Sequence, residues 1–280
     1  MGLEKRNLIM NIPNWLKPSI WLKAVDRLQR IIATGSCFAL FGLGGVFLSI
    51  TIFPLQQLFI RDINKQKRTA RTTVHYSFKL FVTALQWTRV CKVKAQDIEQ
   101  FSQLKGIKGK IIIANHPSLV DIVVLISLIK NADCVVKGHL FKNPFTRGVV
   151  RASGYLNNSE PEKLLEDCSA SLAQGNNIII FPEGTRTDPN SNTPLKLQRG
   201  FANIALRCQA DLMIILLSVN PSTLTKGNVW YNVPSRTFDF CMQVKNTIEI
   251  NHYRESFADN TSKAVRQLTR DIESQFKTAL

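Results

Sequence analysis

The sequence predicts an α/β fold: a mixed, largely parallel sheet flanked by helices, preceded by an N-terminal membrane-embedded helical segment. Short apolar runs typical of buried strands alternate with helical patterns between residues 111 and 219, the order that a parallel sheet requires. A run of 30 residues, 31–60, carries no charged side chain. We therefore divide the 280-residue chain into a membrane-anchoring helical module, residues 1–71, and an α/β domain, residues 72–280.

The uncharged run is long enough for a transmembrane helix, which needs about 20 mostly apolar residues. It also fits a bent pair of shorter helices that enter one leaflet, because four glycines and Pro54 allow a break. Basic residues flank both ends, so the positive-inside rule does not orient a single span. This symmetry favours a re-entrant or interfacial segment with both ends in the cytoplasm. A buried core helix is the alternative.

The charge balance indicates a polyanionic partner. The chain has 36 Lys and Arg against 20 Asp and Glu, a formal net charge of +16, which suits nucleic acid or an anionic membrane. Trp15 and Trp21 stand among lysines before the uncharged run, a mixture typical of the headgroup level of a membrane. No nucleic-acid motif accompanies the charge, so we expect anionic lipids rather than nucleic acid. The six cysteines form no C-x-x-C pair, which fits a reducing cytoplasm.

The elements of the α/β domain are predicted from periodicity and from turn residues. Apolar residues at steps of three and four predict a helix over 74–90 and another that begins near 260–262. Ser159 and Glu162 have capping-box spacing at the start of a helix that Gly175 ends. The remaining predictions are strands at 111–114, 134–137, 177–181 and 212–219, and helices at 118–130 and 200–208.

The first polar cluster, NHPSLVD at 115–121, follows a predicted strand, where chemistry sits in open α/β sheets. Pro117 suits a first helical turn, which would place Asp121 just over one turn inside the helix. An aspartate on one ring nitrogen of His116 would fix the tautomer and raise the basicity of the other nitrogen, as a general base requires. In the alternative reading, Asp121 only favours the positive helix N-terminus. No third ligand stands at metal-binding spacing, so we predict no metal site.

The second cluster, FPEGTR at 181–186, begins at the last residue of the predicted strand 177–181. It places the carboxylate of Glu183, the hydroxyl of Thr185 and the guanidinium of Arg186 on one short turn. Gly184 lets the chain approach a ligand closely, and an arginine can grip a phosphate with two hydrogen bonds. The alternative is a turn closed by a local ion pair between Glu183 and Arg186.

Together, in this order and about 65 residues apart, the clusters resemble the glycerolipid acyltransferase family typified by lysophosphatidic acid acyltransferases. Asn115, His116 and Asp121 match the family's N-H-x-x-x-x-D, and residues 181–186 match F-P-E-G-T-R without substitution. The resemblance covers roughly residues 70–225. It implies a glycerol-3-phosphate acyltransferase-like fold and transfer of a fatty acyl group from acyl-ACP or acyl-CoA to the hydroxyl of a lysophospholipid. The simplest acceptor is 1-acyl-sn-glycerol-3-phosphate, which would give phosphatidic acid for phospholipid biosynthesis.

The resemblance also implies residue roles. His116 would be the general base and Asp121 its orienting carboxylate. Glu183, Gly184, Thr185 and Arg186 would bind the phosphate and glycerol of the acceptor. No cofactor is implied beyond the thioester donor, on acyl carrier protein or coenzyme A. The enzyme would sit in the inner, cytoplasmic membrane with its catalytic domain facing the cytoplasm.

The chain departs from the family at its second block. Residues 137–158 keep the block's outline, including Lys137, but end in NNSE where the family usually has a phosphate-binding arginine. Arg147, Arg151 and Arg199 are candidates to replace it, and we place Lys137 and Arg199 among the predicted substrate-binding residues. The departure keeps a different lysolipid or a specialised lipid open as the acceptor. A noncatalytic lipid-binding membrane protein is the further alternative.

Overall fold

A seven-stranded sheet forms the centre of the fold, in a computed structural model that describes residues 18–95, 104, 106–187 and 195–279. Its strand order is β1-β7-β6-β2-β5-β3-β4, and every neighbouring pair is parallel except the antiparallel pair β6 and β7. The predicted mixed, largely parallel sheet is thus confirmed. The strands are β1 (Cys91–Ala95), β2 (Ile111–Ala114), β3 (Ala132–Val136), β4 (Leu156–Asn157), β5 (Asn177–Ile180), β6 (Leu212–Asn220) and β7 (Phe238–Ile248).

Helices cover both faces of the sheet, as predicted for strands buried on both sides. A π-helical turn, Leu48–Ile52, joins the first two helices without a break, and a 3₁₀ helix covers Gly138–Phe141. The α-helices are α1 (Pro18–Phe47), α2 (Phe53–Phe59), α3 (Ile63–Trp87), α4 (Asp121–Leu128), α5 (Arg147–Ser153), α6 (Pro161–Ala173), α7 (Gly200–Cys208), α8 (Ile250–Ser256) and α9 (Thr261–Ala279).

The two faces of the sheet belong to two separate hydrophobic cores. Within β2, Ile112 contributes to the first core, whereas Ile111 and Ile113 contribute to the second, because successive side chains of a strand point to opposite faces. Helices α3, α4 and α5 cover the first core. Helices α6, α7 and α9 cover the second. The helices that follow the two polar clusters therefore lie on opposite sides of the sheet.

The uncharged N-terminal segment runs antiparallel along α3. The ring of Phe41 lies 5.9 Å from that of Phe78 and 5.5 Å from that of Phe81, and Gln56 Nε2 donates to Thr73 Oγ1 at 2.7 Å. The opposite side of the segment is apolar and exposed. Among the described residues, one helical run, Trp21–Phe59, is long and apolar enough to cross a membrane by length and composition, and its most apolar 18-residue window has a mean hydropathy of 2.1. Trp15 lies outside the described residues.

Glycines in this segment serve close packing rather than a break. A Cβ at Gly45 would lie 2.7 Å from the carbonyl oxygen of Phe145, so the contact between α1 and the domain needs a glycine there. Gly148 in turn leaves room for the side chain of Ser49, which lies in the π-helical turn. The helix passes through all four glycines, and the irregular turn forms just before Pro54.

Some predicted boundaries differ from those observed. Helix α3 begins at Ile63, where the Asp62 carboxylate accepts a hydrogen bond from Lys65 N at 2.9 Å, so residue 71, the predicted domain boundary, lies inside a continuous helix. The predicted capping box is not formed, because Glu160 is the N-cap of α6 and no side chain caps that helix. Strands β1, β4 and β7 were not predicted. The helix over 200–208 and the strand over 111–114 were predicted with their observed bounds.

A buried ion pair fixes α3 to the sheet. Arg71 Nε lies 2.5 Å from Asp133 Oδ1 at the start of β3, with both side chains buried, and donates to the carbonyl oxygen of Ser153 at 2.9 Å. Ser171 Oγ donates to the other oxygen of Asp133. Burial raises the pKa of Asp133 to about 6, against the attraction of Arg71. The pair connects the helix beside the uncharged segment with the centre of the α/β domain.

Candidate active site

The two polar clusters meet at one edge of the sheet because β2 and β5 are parallel neighbours. Ile111 pairs with Ile178 and Ile113 with Ile180, so both strands end at the same level. The chain continues from β2 into Asn115 and from β5 into Phe181. His116 N donates to Glu183 Oε1 at 3.0 Å, a direct contact between the clusters.

The predicted contact between His116 and Asp121 is present. His116 Nδ1 lies 2.7 Å from Asp121 Oδ2, and Ser118 N donates to the same oxygen at 2.8 Å. Asp121 is the first residue of α4, not a residue one turn inside it, because Ser118 to Val120 form a turn before the helix. This turn brings together two side chains that a regular helix would separate. Asp121 is therefore both the first residue of the helix and the hydrogen-bond partner that orients His116.

Burial sets the charge properties of the site. The side chain of Asp121 has no exposed surface, whereas that of His116 is 20% exposed. Burial raises the pKa of Asp121 to about 6, and the hydrogen bonds with His116 and Ser118 act in the opposite direction. Burial also raises the pKa of Glu183, opposed by hydrogen bonds from Thr187 and from His116 N. Asp121 is thus ionised above a pH of about 6, at the first turn of a helix that favours its charge.

Ring stacking fixes the imidazole from one side. The ring of Phe181, first residue of the second cluster, lies 4.2 Å from that of His116 with an angle of 18° between the planes. Asp121 occupies Nδ1, and Nε2 makes no hydrogen bond to any residue that the structure describes. Nε2 is therefore the nitrogen available to a substrate.

Asn115 fastens the first cluster to the neighbouring strand. Its Nδ2 donates to Leu217 O at 2.8 Å, and Leu217 N donates to its Oδ1 at 2.7 Å, with the side chain buried. Backbone pairing between β2 and β6 ends at Ala114 and Ile215. The amide of Asn115 thus continues the strand pairing where the backbone has turned away.

Thr187 joins the two clusters, and sequence reasoning missed it. Its Oγ1 donates to Glu183 Oε1 at 2.8 Å and accepts from His116 N at 3.2 Å. Its backbone N donates to His116 O at 2.7 Å. The hydroxyl predicted from the sequence is that of Thr185, whose side chain is exposed. A second hydroxyl four residues after Glu183 was the available signal.

Arg186 is held by a segment that comes later in the chain. Its Nη1 donates to Leu224 O and to Thr225 O, both at 2.9 Å. Leu119 N also donates to Leu224 O, at 3.2 Å, so this segment contacts both clusters. Among the described residues Arg186 forms no ion pair with Glu183, and its other two nitrogens make no hydrogen bond. The alternative of a local ion pair is therefore wrong, and part of the guanidinium is available for an anion.

The remaining predicted residues lie around this centre. Gly184 has a φ of +65°, and a Cβ there would lie 2.3 Å from Gln198 Nε2, so this turn requires glycine. Lys137 is exposed at the end of β3, and Arg199 is exposed just before α7. In the part of the chain that the structure describes, no hydrogen bond or ion pair joins Lys137 or Arg199 to His116 or Glu183. That part also contains no group of three or more His, Cys, Asp or Glu able to hold a metal ion.

Comparisons with known proteins find similarity to acyltransferases. The Acyltransferase family model matches residues 92–220, which include both clusters. A 1-acyl-sn-glycerol-3-phosphate acyltransferase from Cocos nucifera is 31% identical over 175 residues, 56% of this chain and 52% of that protein. The chain thus matches about half the length of that relative.

A solved structure shares the fold. The 1-acyl-sn-glycerophosphate (LPA) acyltransferase from Thermotoga maritima superposes with a TM-score of 0.60 at 17% identity, over 91% of this chain and 98% of that one. Residues 92–220 are thus similar to the Acyltransferase family, and the fold is similar to that of a solved acyltransferase.

Replacing the hydroxyl of Thr187 tests how the clusters are joined. In Thr187→Val the side chain keeps its shape but leaves Glu183 and His116 N with one partner fewer, so we expect a loss of about 1–3 kcal/mol in the free energy of unfolding. The matched control is Thr185→Val on the same turn, whose exposed hydroxyl makes no such bond, and we expect a change below about 0.5 kcal/mol. Denaturant titration in detergent measures both, and equal losses would contradict the bridging role.

Proposed function

We propose that the protein is a membrane-bound O-acyltransferase that transfers a fatty acyl group from a thioester to the hydroxyl of a lysophospholipid. The most direct acceptor is 1-acyl-sn-glycerol-3-phosphate, and the product is then phosphatidic acid. The observation that carries this proposal is the His116–Asp121 pair beside Glu183 and Arg186 at the carboxyl ends of β2 and β5. The names of the two related proteins support the same reaction and acceptor.

The geometry fits direct transfer by general-base catalysis. Asp121 accepts the hydrogen bond of Nδ1–H, which leaves Nε2 of His116 unprotonated and turned towards the substrate. Nε2 takes the proton of the acceptor hydroxyl while the oxygen attacks the thioester carbonyl. The tetrahedral intermediate then expels the thiolate, which takes the proton back from the histidine. The ester forms, the thiol leaves, and no acyl-enzyme is needed.

Arg186 is the best-placed group for the acceptor's phosphate. Two backbone carbonyls fix its Nη1, so the guanidinium is oriented before a ligand arrives. Glu183 lies within the same turn and is suited to a hydroxyl of the glycerol. A lysolipid with another headgroup is the second candidate acceptor. Arg186 belongs to the second cluster, whereas Lys137 and Arg199 form no hydrogen bond or ion pair with either cluster among the described residues.

An apolar cavity beside the site is suited to the acyl chain. A space of about 50 Å³ is lined by Leu119, Val120 and Leu224 next to the catalytic turn, and by Phe41 and Phe81 on its far side. The same two phenylalanines line a larger cavity of about 360 Å³ between α1, α3 and α5. Its volume lies in the range typical of ligand pockets. We place the acyl chain along this route, from the catalytic turn towards the membrane helix.

A bulky side chain in the large cavity should shorten the preferred acyl chain. Val149 of α5 lines this cavity, and Val149→Phe would fill part of it. We expect kcat/KM for the longest accepted chain to fall at least about 10-fold relative to shorter chains. The matched control is Val25→Phe on the exposed part of α1. Competition between thioesters of different length measures the preference, and the same profile in both variants would contradict this route.

The uncharged segment is proposed to lie within one leaflet of the cytoplasmic membrane. It packs along α3, which exposes Lys65, Arg68 and Lys79, so a perpendicular span would draw these charges into the hydrocarbon region at high cost. An in-plane position buries its exposed apolar side and leaves the domain facing the cytoplasm. Protease digestion of tags at both termini in sealed inverted vesicles tests this arrangement. We expect both tags to be cleaved, and protection of one tag would contradict it.

Transfer assays test the reaction itself. The detergent-solubilised protein is given labelled acyl-ACP or acyl-CoA and a panel of lysolipids, beside His116→Ala. We expect transfer to lysophosphatidic acid, reduced at least about 100-fold in the variant. Transfer to another lysolipid only would favour the second candidate acceptor. No transfer by the wild-type protein to any lysolipid would favour a noncatalytic lipid-binding protein.

The pH profile tests the role of Asp121 within the same assay. Because its folded pKa is about 6, the carboxylate is ionised above that pH and protonated below it. We therefore expect the rate to fall as the pH drops through about 6. In Asp121→Asn the amide does not stabilise the required tautomer and charge of His116, and the rate at pH 8 should fall about 100- to 10,000-fold.

The matched control is Asp133→Asn, which removes another buried carboxylate whose pKa is also about 6 but which pairs with Arg71. Its pH profile should keep the wild-type shape. A wild-type rate that does not change between pH 5 and 8, or a change of profile in Asp133→Asn alone, would show that Asp121 does not control the reaction.

A further inference from the structure

A cationic groove lies between residues 195–199 and helix α9. Its volume is about 550 Å³. The exposed cations that line it form no ion pair with a carboxylate that the structure describes. Its one acid, Glu273, accepts a hydrogen bond from Leu197 N at 2.8 Å. The cations are Lys196, Arg199, Arg266, Arg270 and Lys277.

The cations of α9 form a row on one side of the helix. The row begins at Arg266, and Arg270 and Lys277 follow it by four and eleven residues. Both spacings return to nearly the same face of an α-helix. Eleven residues of α-helix extend over about 16 Å. One phosphate group cannot contact all of this row, whereas a line of carboxylates on a protein surface can. The shape therefore favours an extended acidic partner.

The groove faces away from the membrane segment. Helix α9 packs on the second core through Val265, Leu268 and Ile272, whereas α1 packs against α3 and α5 on the first core. A membrane that contacts the exposed side of α1 therefore lies on the side of the sheet covered by α3 and α5, opposite to α9. A partner that approaches through the aqueous phase is the one that can reach the groove.

The groove begins next to the catalytic turn. Gln198 N donates to Pro182 O at 2.7 Å, and the side chain of Gln198 lies against Gly184. Arg199, the next residue, lines the groove. A partner bound there stands beside the FPEGTR turn, from which a flexible arm can reach the site.

We propose that this groove docks the acidic carrier protein that delivers the acyl thioester. The inference rests on the proposed function and assigns its donor: an acidic protein surface binds the cations of α9 and residues 196 and 199, and the thioester arm enters past Gly184. Opposite charges accelerate and orient such encounters more than they strengthen them, which suits a donor that must leave after each turnover. Arg199, predicted from the sequence to bind the acceptor, is reassigned to the donor.

Charge reversal tests the docking surface in the full-length protein. The variant is Arg266→Glu/Arg270→Glu, and Arg266→Gln/Arg270→Gln is a milder form. The matched control, Lys163→Glu/Arg254→Glu, makes the same charge change at exposed positions of α6 and α8. The probe is acyl carrier protein with its prosthetic arm but no acyl chain, and binding is measured in His116→Ala as well, so that docking is observed without turnover.

We expect the wild-type protein and His116→Ala to bind the probe equally. The Glu double variant should bind at least 10-fold more weakly, the Gln variant should lie between, and the control should be unchanged. In turnover, KM for acyl-ACP should rise about 10-fold in the Glu variant, while KM for acyl-CoA and for the lysolipid should change less than twofold.

Three results would overturn the proposal: no binding of the probe by the wild-type protein, equal weakening in the control, or an equal rise of KM for acyl-CoA. Loss of flotation with anionic vesicles in the Glu variant, with unchanged probe binding, would assign the groove to lipid and overturn it too. Probe binding that the Glu variant weakens, without any transfer by the wild-type protein, would support docking and refute the proposed function. Transfer from acyl-ACP by the wild-type protein, with a KM for acyl-ACP that is the same in the Glu variant, would support the proposed function and refute docking.

Discussion

Parallel pairing of β2 with β5 is the constraint on which the site depends. Because these strands run side by side in one direction and end at the same level, the turns that follow them must occupy the same edge of the sheet. The backbone N–H of His116 then lies within hydrogen-bonding distance of the Glu183 carboxylate, although the two residues are 67 positions apart in sequence. The apolar residues of both strands are buried on both faces, as in other parallel sheets covered by helices.

The second constraint is the burial of a carboxylate. Asp121 has no exposed surface, and burial of its charge is costly, as the rise of its pKa to about 6 reflects. The backbone N–H of Ser118, the imidazole and the helix N-terminus offset part of this cost. What results is a histidine with one nitrogen occupied, one face covered by Phe181 and the other nitrogen available. A rigid base of this kind is what proton transfer from a hydroxyl requires.

Much of this arrangement could be predicted from the sequence. The strand at 111–114 and the helix at 200–208 had clear periodicity and clear turn residues at their ends. The meeting of the two motifs follows from parallel strands. The contact of His116 with Asp121 was expected from the motif, but it is made through a turn before the helix rather than by the spacing alone. Strand β7 was missed although Phe238, Phe240 and Met242 alternate with polar residues, because its pattern lies beyond the region where strands and helices alternate.

Other features depend on tertiary structure that a single sequence does not reveal. Arg186 is held by carbonyl groups 38 and 39 residues further along, and no local pattern marks a backbone acceptor. Thr187 bridges the clusters because of the path of one turn. Arg199 looks like any other cation near the motif, and its position in the groove with α9 emerges only when the C-terminal helix packs against α7.

The protonation state of His116 tests the central claim most directly. Nitrogen-15 NMR of the detergent-solubilised protein, labelled at histidine and assigned with His116→Gln, distinguishes the two ring nitrogens at pH 8. The account predicts a proton on Nδ1, hydrogen-bonded to Asp121, and an unprotonated Nε2. A proton on Nε2 would leave the ring unable to accept one from a substrate hydroxyl and would contradict the account.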